Sequence, residues 1–398
     1  MKKVLVPKVR FKGFGEEWKE EKIESFSKIT IGEFVIKTKQ NDFYEYPVYN
    51  GGITNTGFYK EYNNEGNKII VSARGANAGH INFIEKKYWA GNSCYSIDLI
   101  SNRQRDIKFI FYSMLINKNK FDDNKQVGTI PSVSLEDVRN FIIYFASYSE
   151  QQKIGKLLDQ ISNLITLEQS KLNKLKQLKE TLLQKMFPEG NSKTPRIRFK
   201  GFEGEWKEEK LEEVGQTYTG LSGKTKKDFG HGNSRYITYL NIFNNPIANL
   251  KWLDRIEEDC KQNSVKYGDI FVTTSSEIPE EVGITSIWPF KDKENIYLNS
   301  FCFGIRLNNI NNYYINFLAY NLRNNELRKD IVLLAQGIAR FNISNRRFMK
   351  LNILLPNISE QQKIGDFFSN IDTLINLYNS KLNRLKQIKE ALLQKLLI

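Results

Sequence analysis

Apolar residues follow two kinds of period along this chain. Two long stretches repeat every seven residues in a heptad a/d pattern. Ile154, Leu158, Ile161, Ile165, Leu172, Leu175, Leu182 and Met186 form the first stripe, interrupted by Glu168 and Lys179. Ile364, Phe368, Ile371, Ile375, Leu382, Leu385, Leu392 and Leu396 fill the same slots in the second, interrupted by Tyr378 and Lys389. The spacing predicts two helices of about 38 residues, roughly 57 Å each at 1.5 Å per residue. Ser149 with Gln152, and Ser359 with Gln362, read as capping boxes at their starts. Two such stripes in one chain predict an antiparallel coiled coil; the alternative is that each packs only on its own domain. Extra apolar positions at Leu157, Leu164, Leu178 and Leu374 widen the stripes and predict more than one packing partner per helix.

Elsewhere the apolar runs are short and bounded by Gly and Asn, as strands are. Lys68–Ser72, His80–Ile84 and Cys94–Leu99 are strand candidates, followed by a helical stretch near Phe109–Asn117 and a last strand at Phe141–Phe145. Asp269–Thr273, Phe303–Leu307, a helix at Tyr314–Asn321 and a strand at Leu351–Leu355 repeat the scheme. The fold class expected is α/β (α+β), or mainly β with long polar loops, for each of two tandem domains. The boundaries expected are 1–148 for the first domain, 149–188 for the first helix, 189–358 for the second domain and 359–398 for the second helix.

The repetition is literal in places. Pro7-Lys8-Val9-Arg10-Phe11-Lys12-Gly13-Phe14 returns as Pro195-Arg196-Ile197-Arg198-Phe199-Lys200-Gly201-Phe202, and Ser149-Glu150-Gln151-Gln152-Lys153-Ile154-Gly155 returns as Ser359-Glu360-Gln361-Gln362-Lys363-Ile364-Gly365. The opening blocks are offset by 188 positions and the helices by 210, so the second domain carries 22 extra residues; insertions in loops cost little. The order of blocks is circular, because the segment that follows the first helix has its counterpart at the N-terminus. A closed arrangement with a pseudo-two-fold axis is the expectation.

The net charge of +14 and pI near 9.3 point to a polyanionic partner. Cys94, Cys260 and Cys302 are isolated and odd in number, which argues for a reducing cytoplasm; Cys94 and Cys302 lie in apolar runs and are expected to be buried. No stretch reads as a membrane span or a signal peptide.

Catalytic motifs fail on inspection. Phe11, Gly13 and Gly15 imitate a methyl-donor loop, but only ten residues precede it and the copy at Phe199 breaks the spacing. Ser222-Gly223-Lys224-Thr225 imitates a phosphate loop, yet Tyr218 stands where the pattern needs glycine. His80 and His231 are the two histidines, and no spacing suits a metal. What remains are polar loops in matching places. Candidate DNA contacts are Tyr49, Asn50, Gly51, Gly52, Arg74, Asn77, His80, Gln126 and Thr129 in the first domain. In the second they are Lys224, Lys226, Lys227, Thr274, Ser275, Ser276, Gln336, Arg340 and Asn342. Such side chains read base edges, and glycine lets backbone approach phosphates; the competing reading of each is ordinary solvated loop chemistry.

The Pro-x-x-Arg-Phe-x-Gly-Phe…Trp openings (Trp18, Trp206), the Ser-Glu-Gln-Gln-Lys-Ile-Gly helix starts and the long helices that follow them past Leu182 and Leu392 together resemble the specificity subunits of type I restriction-modification systems. The resemblance covers the full length. It implies two target-recognition domains on a bipartite double-stranded DNA site, with the paired helices as spacer and as platform for two modification (methyltransferase) subunits. It places S-adenosylmethionine chemistry in those partners and ATP- and Mg-dependent translocation and cleavage in restriction subunits, leaving this chain non-catalytic and without a cofactor. The rival readings are an autonomous nuclease or methyltransferase with its own coiled coil, and a scaffold with two protein-binding heads.

Overall fold

The computed structural model describes residues 5–100, 104–123, 130–291 and 295–398. The chain divides into two compact units, residues 1–170 with 380–398, and residues 171–379. Each unit therefore contains part of both long helices.

The first unit is built on a four-stranded antiparallel sheet ordered Ser27–Ile31, Cys94–Leu99, Lys68–Ser72, Ile81–Ile84. Ile69, Ile70 and Val71 are all buried, so the strand reads as a continuous apolar run rather than an alternation. The reason is cover on both faces. Ile69, Val71 and Ile97 pack with Trp18, Phe109 and Ile143 in the main core. Ile70 and Cys94 face Tyr88 and Ala90, which belong to or adjoin a small sheet ordered Phe58–Tyr59, Tyr46–Tyr49, Trp89–Ala90.

The second unit repeats this plan with its sheet ordered Gly215–Thr219, Cys302–Leu307, Ile270–Thr273, Thr285–Ile287. Ile270 and Val272 face the main core, and Phe271 and Cys302 face the smaller layer. Cys94 and Cys302 are buried as their apolar surroundings require, and burial pushes both thiols up to about 12. The fold is mixed helix and strand in both units, and strand ends differ from the sequence reading by a residue or two.

The two sheets are not interchangeable strand by strand. Lys68 pairs with Asp98 at 3.2 Å in the first, while Asp269 pairs with Arg306 at 2.7 Å in the second. The same two register positions carry the ion pair with opposite polarity.

The long helices run Tyr148–Lys185 and Ile358–Leu396. Within the first unit, Ile154 and Leu158 share a core with Leu396 and Leu397. Within the second, Ile364, Phe368 and Ile371 share one with Leu182 and Met186. In each unit the start of one helix lies beside the end of the other, which is an antiparallel pairing. Two positions that break the apolar stripe carry charge to the opposite helix: Glu168 accepts Lys381 at 3.1 Å, and Lys179 pairs with Asp372.

The capping boxes expected at Ser149 and Ser359 are not the helix starts. Both serines lie inside the first turn. The cap of the second helix is Asn357, whose side chain accepts the Glu360 N–H at 3.0 Å, and Ser147 O receives the Glu150 and Gln151 N–H groups of the first. Gln152 and Gln362 are exposed, whereas Gln151 and Gln361 are buried and donate to Ala146 O and Pro356 O. Starting earlier lets Glu150 and Glu360 turn inward, where burial with partners outweighs the local box.

The circular order of blocks has a direct bonding counterpart. Ile197 N–H donates to Lys185 O at 2.8 Å, tying the Pro-x-x-Arg-Phe segment to the end of the first helix; Val9 N–H donates to Lys395 O at 2.9 Å at the end of the second. Arg10 makes a two-pronged bond to Glu150 (2.8 and 2.7 Å), and Arg198 does the same to Glu360 (2.7 and 2.7 Å).

Candidate nucleic-acid interface

Antiparallel pairing brings the ends of neighbouring strands and the start of the one between them to the same edge of the sheet. In the first unit, strands Ser27–Ile31 and Lys68–Ser72 leave the sheet where Cys94–Leu99 enters. Gly32 N–H donates to Cys94 O and Ala73 N–H to Ser93 O there. The hairpin loop after Tyr49 folds onto the same edge. Asn50 Oδ1 accepts the Ser93 N–H at 2.9 Å, and Ser72 Oγ donates to Gly52 O at 3.2 Å. Gly51 has φ of +74°, and a Cβ there would sit 2.7 Å from Arg74 O. Only glycine permits that approach.

Tyr49, Asn50, Gly51, Gly52 and Arg74 therefore converge. Arg74 is exposed and forms no ion pair among the described residues. Asn77 O accepts His80 N–H and closes the same turn. Burial holds the His80 imidazole below its usual range, with Lys118 adding to the effect. Gln126 and Thr129 lie outside the described residues.

The second unit uses the corresponding edge. Leu221 N–H donates to Leu298 O, and Thr274 donates through both N–H and Oγ1 to Phe301 O. Ser275–Ser276 pairs with Phe341–Asn342, and Gln336 exchanges two backbone bonds with Asn342. Arg340 Nε donates to Ser275 Oγ at 2.7 Å, leaving both terminal NH2 groups for other partners. Thr274, Ser275, Gln336, Arg340 and Asn342 are thus brought together. Ser276 is buried and bonds Glu281 at 3.0 Å, so its hydroxyl serves the loop itself.

Lys224 sits in the loop that imitates a phosphate cradle, and it is occupied by Asp259 at 2.8 Å. Lys224, with backbone and Gln262 donors, holds the Asp259 carboxyl down at about 2. Lys226 and Lys227 lie exposed on a 3-10 turn, Lys226–Asp228, that follows the first sheet strand.

Two features escaped the sequence reading. A second basic 3-10 turn, Lys37–Lys39, follows the first sheet strand of the other unit, with both lysines exposed. The 188-position offset maps Lys39 onto Lys227, so the repeat itself carried the signal. The other is Ile338, 98% exposed at the tip of the Gln336–Asn342 turn. Among the described residues no cluster of His, Cys, Asp or Glu could hold a metal ion, and no helix is long and apolar enough to cross a membrane.

Comparison with known proteins agrees with this organisation. A family model described as the type I restriction modification DNA specificity domain matches residues 15–177 and again 203–387. The type I restriction enzyme MjaVIII specificity subunit of Methanocaldococcus jannaschii is 24% identical over 344 residues, covering 83% of this chain and 78% of the relative. A sequence described as a type I specificity subunit from Mycoplasma genitalium is 25% identical over 195 residues, 46% of this chain and 51% of the relative. The match thus spans about half the length of that mycoplasma relative. The crystal structure of a type I restriction-modification S subunit from M. genitalium superposes with a TM-score of 0.70 at 18% identity, over 99% of both chains, and has the same fold.

Proposed function

The chain belongs to the type I restriction-modification DNA specificity family, and from that premise we propose that each unit reads one half of a bipartite double-stranded DNA site. The observation that carries the reading is the equivalent sheet edge in the two units, each lined by polar loops and followed by an exposed basic 3-10 turn. We assign recognition to residues 1–148 and 189–358, and spacer helices to 149–188 and 359–398.

The long helices supply the second half of the role. Leu164, Leu167, Leu178, Leu374, Leu377 and Ile388 are 37–62% exposed on them. Such a stripe on a soluble surface marks a docking face, and two modification subunits are the partners that fit this family. S-adenosylmethionine, ATP and Mg chemistry then resides in modification and restriction subunits, and this chain contributes recognition without turnover. A cytoplasmic location suits its free cysteines.

Salt dependence tests the electrostatic half of this proposal. Each phosphate neutralised adds about 0.9 to the slope of log K against log salt. Binding by the complex with its modification subunits should weaken steeply between low and physiological salt. Lys226→Ala with Lys227→Ala should reduce the slope by about 1.8, and Lys37→Ala with Lys39→Ala should do likewise. An unchanged slope in both variants would remove these turns from the interface. Methylation or cleavage by the purified chain alone would overturn the non-catalytic assignment.

A further inference from the structure

We propose that Ile338 reads a thymine methyl group in the major groove of the half-site bound by the second unit, an inference that rests on the DNA-recognition role proposed above. Ile338 is 98% exposed, although isoleucine is among the residue types most often buried. Its exposure is a product of the surrounding frame. Gln336 and Asn342 exchange backbone bonds of 2.9 and 2.8 Å at the base of the turn. Gly337 has φ of +144°, and any Cβ there would collide with Arg340 O. Arg340 is in turn anchored by its Nε to Ser275 Oγ at 2.7 Å. The tip is held, and the side chain it presents is apolar.

The tip is closed by a single antiparallel bridge, Gln336 to Asn342, and presents Ile338 outward; the apolar feature on offer in the major groove is the C5-methyl of thymine. Arg340 and Gln336 flank the tip with groups suited to guanine and adenine edges or to phosphate. The interface and the apolar tip are therefore one continuous surface. The 210-position offset puts Gly128 opposite Ile338 in the sequence of the first unit. The two positions therefore differ in side chain.

The test is a cycle between one side chain and one methyl group. Deoxyuridine replaces thymine, one position at a time, in the half-site read by the second unit. Competition binding is then measured for the complex containing the native chain and for Ile338→Ala, with Ile338→Ser as a second variant. Because Ile338 is almost wholly exposed, neither change disturbs packing. One uracil position should weaken native binding about fourfold, the worth of a buried methyl group, and that penalty should vanish in both variants. A half-site without thymine, no uracil-sensitive position, or a penalty that persists in the variants would overturn the assignment. Those outcomes leave sequence-specific binding intact, whereas loss of all sequence preference in the native complex would instead sink the recognition role itself.

Discussion

A fragment spanning residues 1–190 should assemble as a homodimer. The core of the first unit includes Leu396 and Leu397, with Leu392 and Leu393 packed against it, all from the end of the second long helix. The fragment lacks these four. Leaving their sites empty would cost roughly 1.5–3 kcal/mol for each well-buried leucine, comparable to the whole stability of a small domain. The fragment nevertheless carries substitutes. Leu182, Leu183, Met186 and Phe187 stand 210 positions earlier in the repeat and do the same job in the second unit. A second copy can supply them, and the exchange is reciprocal, as two-fold assembly requires.

The fit is close but not equal. Met in place of Leu396 conserves volume, while Phe in place of Leu397 overfills by an amount that costs about 1–3 kcal/mol. Phe187→Leu should therefore tighten the dimer. Sedimentation at tens of micromolar should show a dimer whose folding is concentration-dependent. A well-folded monomer at that concentration would contradict the exchange.

Arg198→Met should lower stability by about 3–4 kcal/mol, which for a protein of this size is a drop of roughly 4 °C in Tm. Glu360 is completely buried and Arg198 retains 15% exposure, so removing the guanidinium leaves a carboxylate with neither water nor counter-charge. The Glu360 bond is the main cause that holds the guanidinium above its usual range. Arg198 also donates to Gly204 O at 2.6 Å and Glu203 O at 3.2 Å, so the segment after the first helix loses its clasp as well. Arg10→Met should cost somewhat less, because Arg10 bonds Glu150 without those extra carbonyls. The double change Arg198→Met with Glu360→Leu should recover much of the loss, since a packed apolar pair matches a buried ion pair. Urea unfolding distinguishes the cases. A single-variant cost under 1 kcal/mol would mean the pair is effectively solvated.

Much of this architecture was legible from the repeat. The helices, their antiparallel pairing and the tie between Val9 and Lys395 all follow from two stripes in a circular order. The helix starts were misread because Ser-x-x-Gln scores as a capping box wherever it occurs. The deciding fact, that Glu150 and Gln151 face the domain, is tertiary. Arg74 and Gly51 are brought together by a contact between two separate loops, which loop composition alone does not show. Lys224 looked like its neighbours Lys226 and Lys227, yet Asp259 engages it from a distant loop. Lys37 and Lys39 were visible in principle through the 188-position offset. Ile338 lies within the polar loop 336–342 that the sequence offers as a candidate, and its exposure alone singles it out.

The central claim is that two different surfaces of one chain read two halves of one DNA site. Mapping methylated bases in the genome of cells that express this chain with its modification subunits tests it most directly. The expected result is a single motif of two short defined sequences separated by undefined bases. Replacing residues 337–340 should change one of them and leave the other intact. A contiguous motif, or a change in both halves from that one replacement, would contradict the assignment of one half-site to each unit.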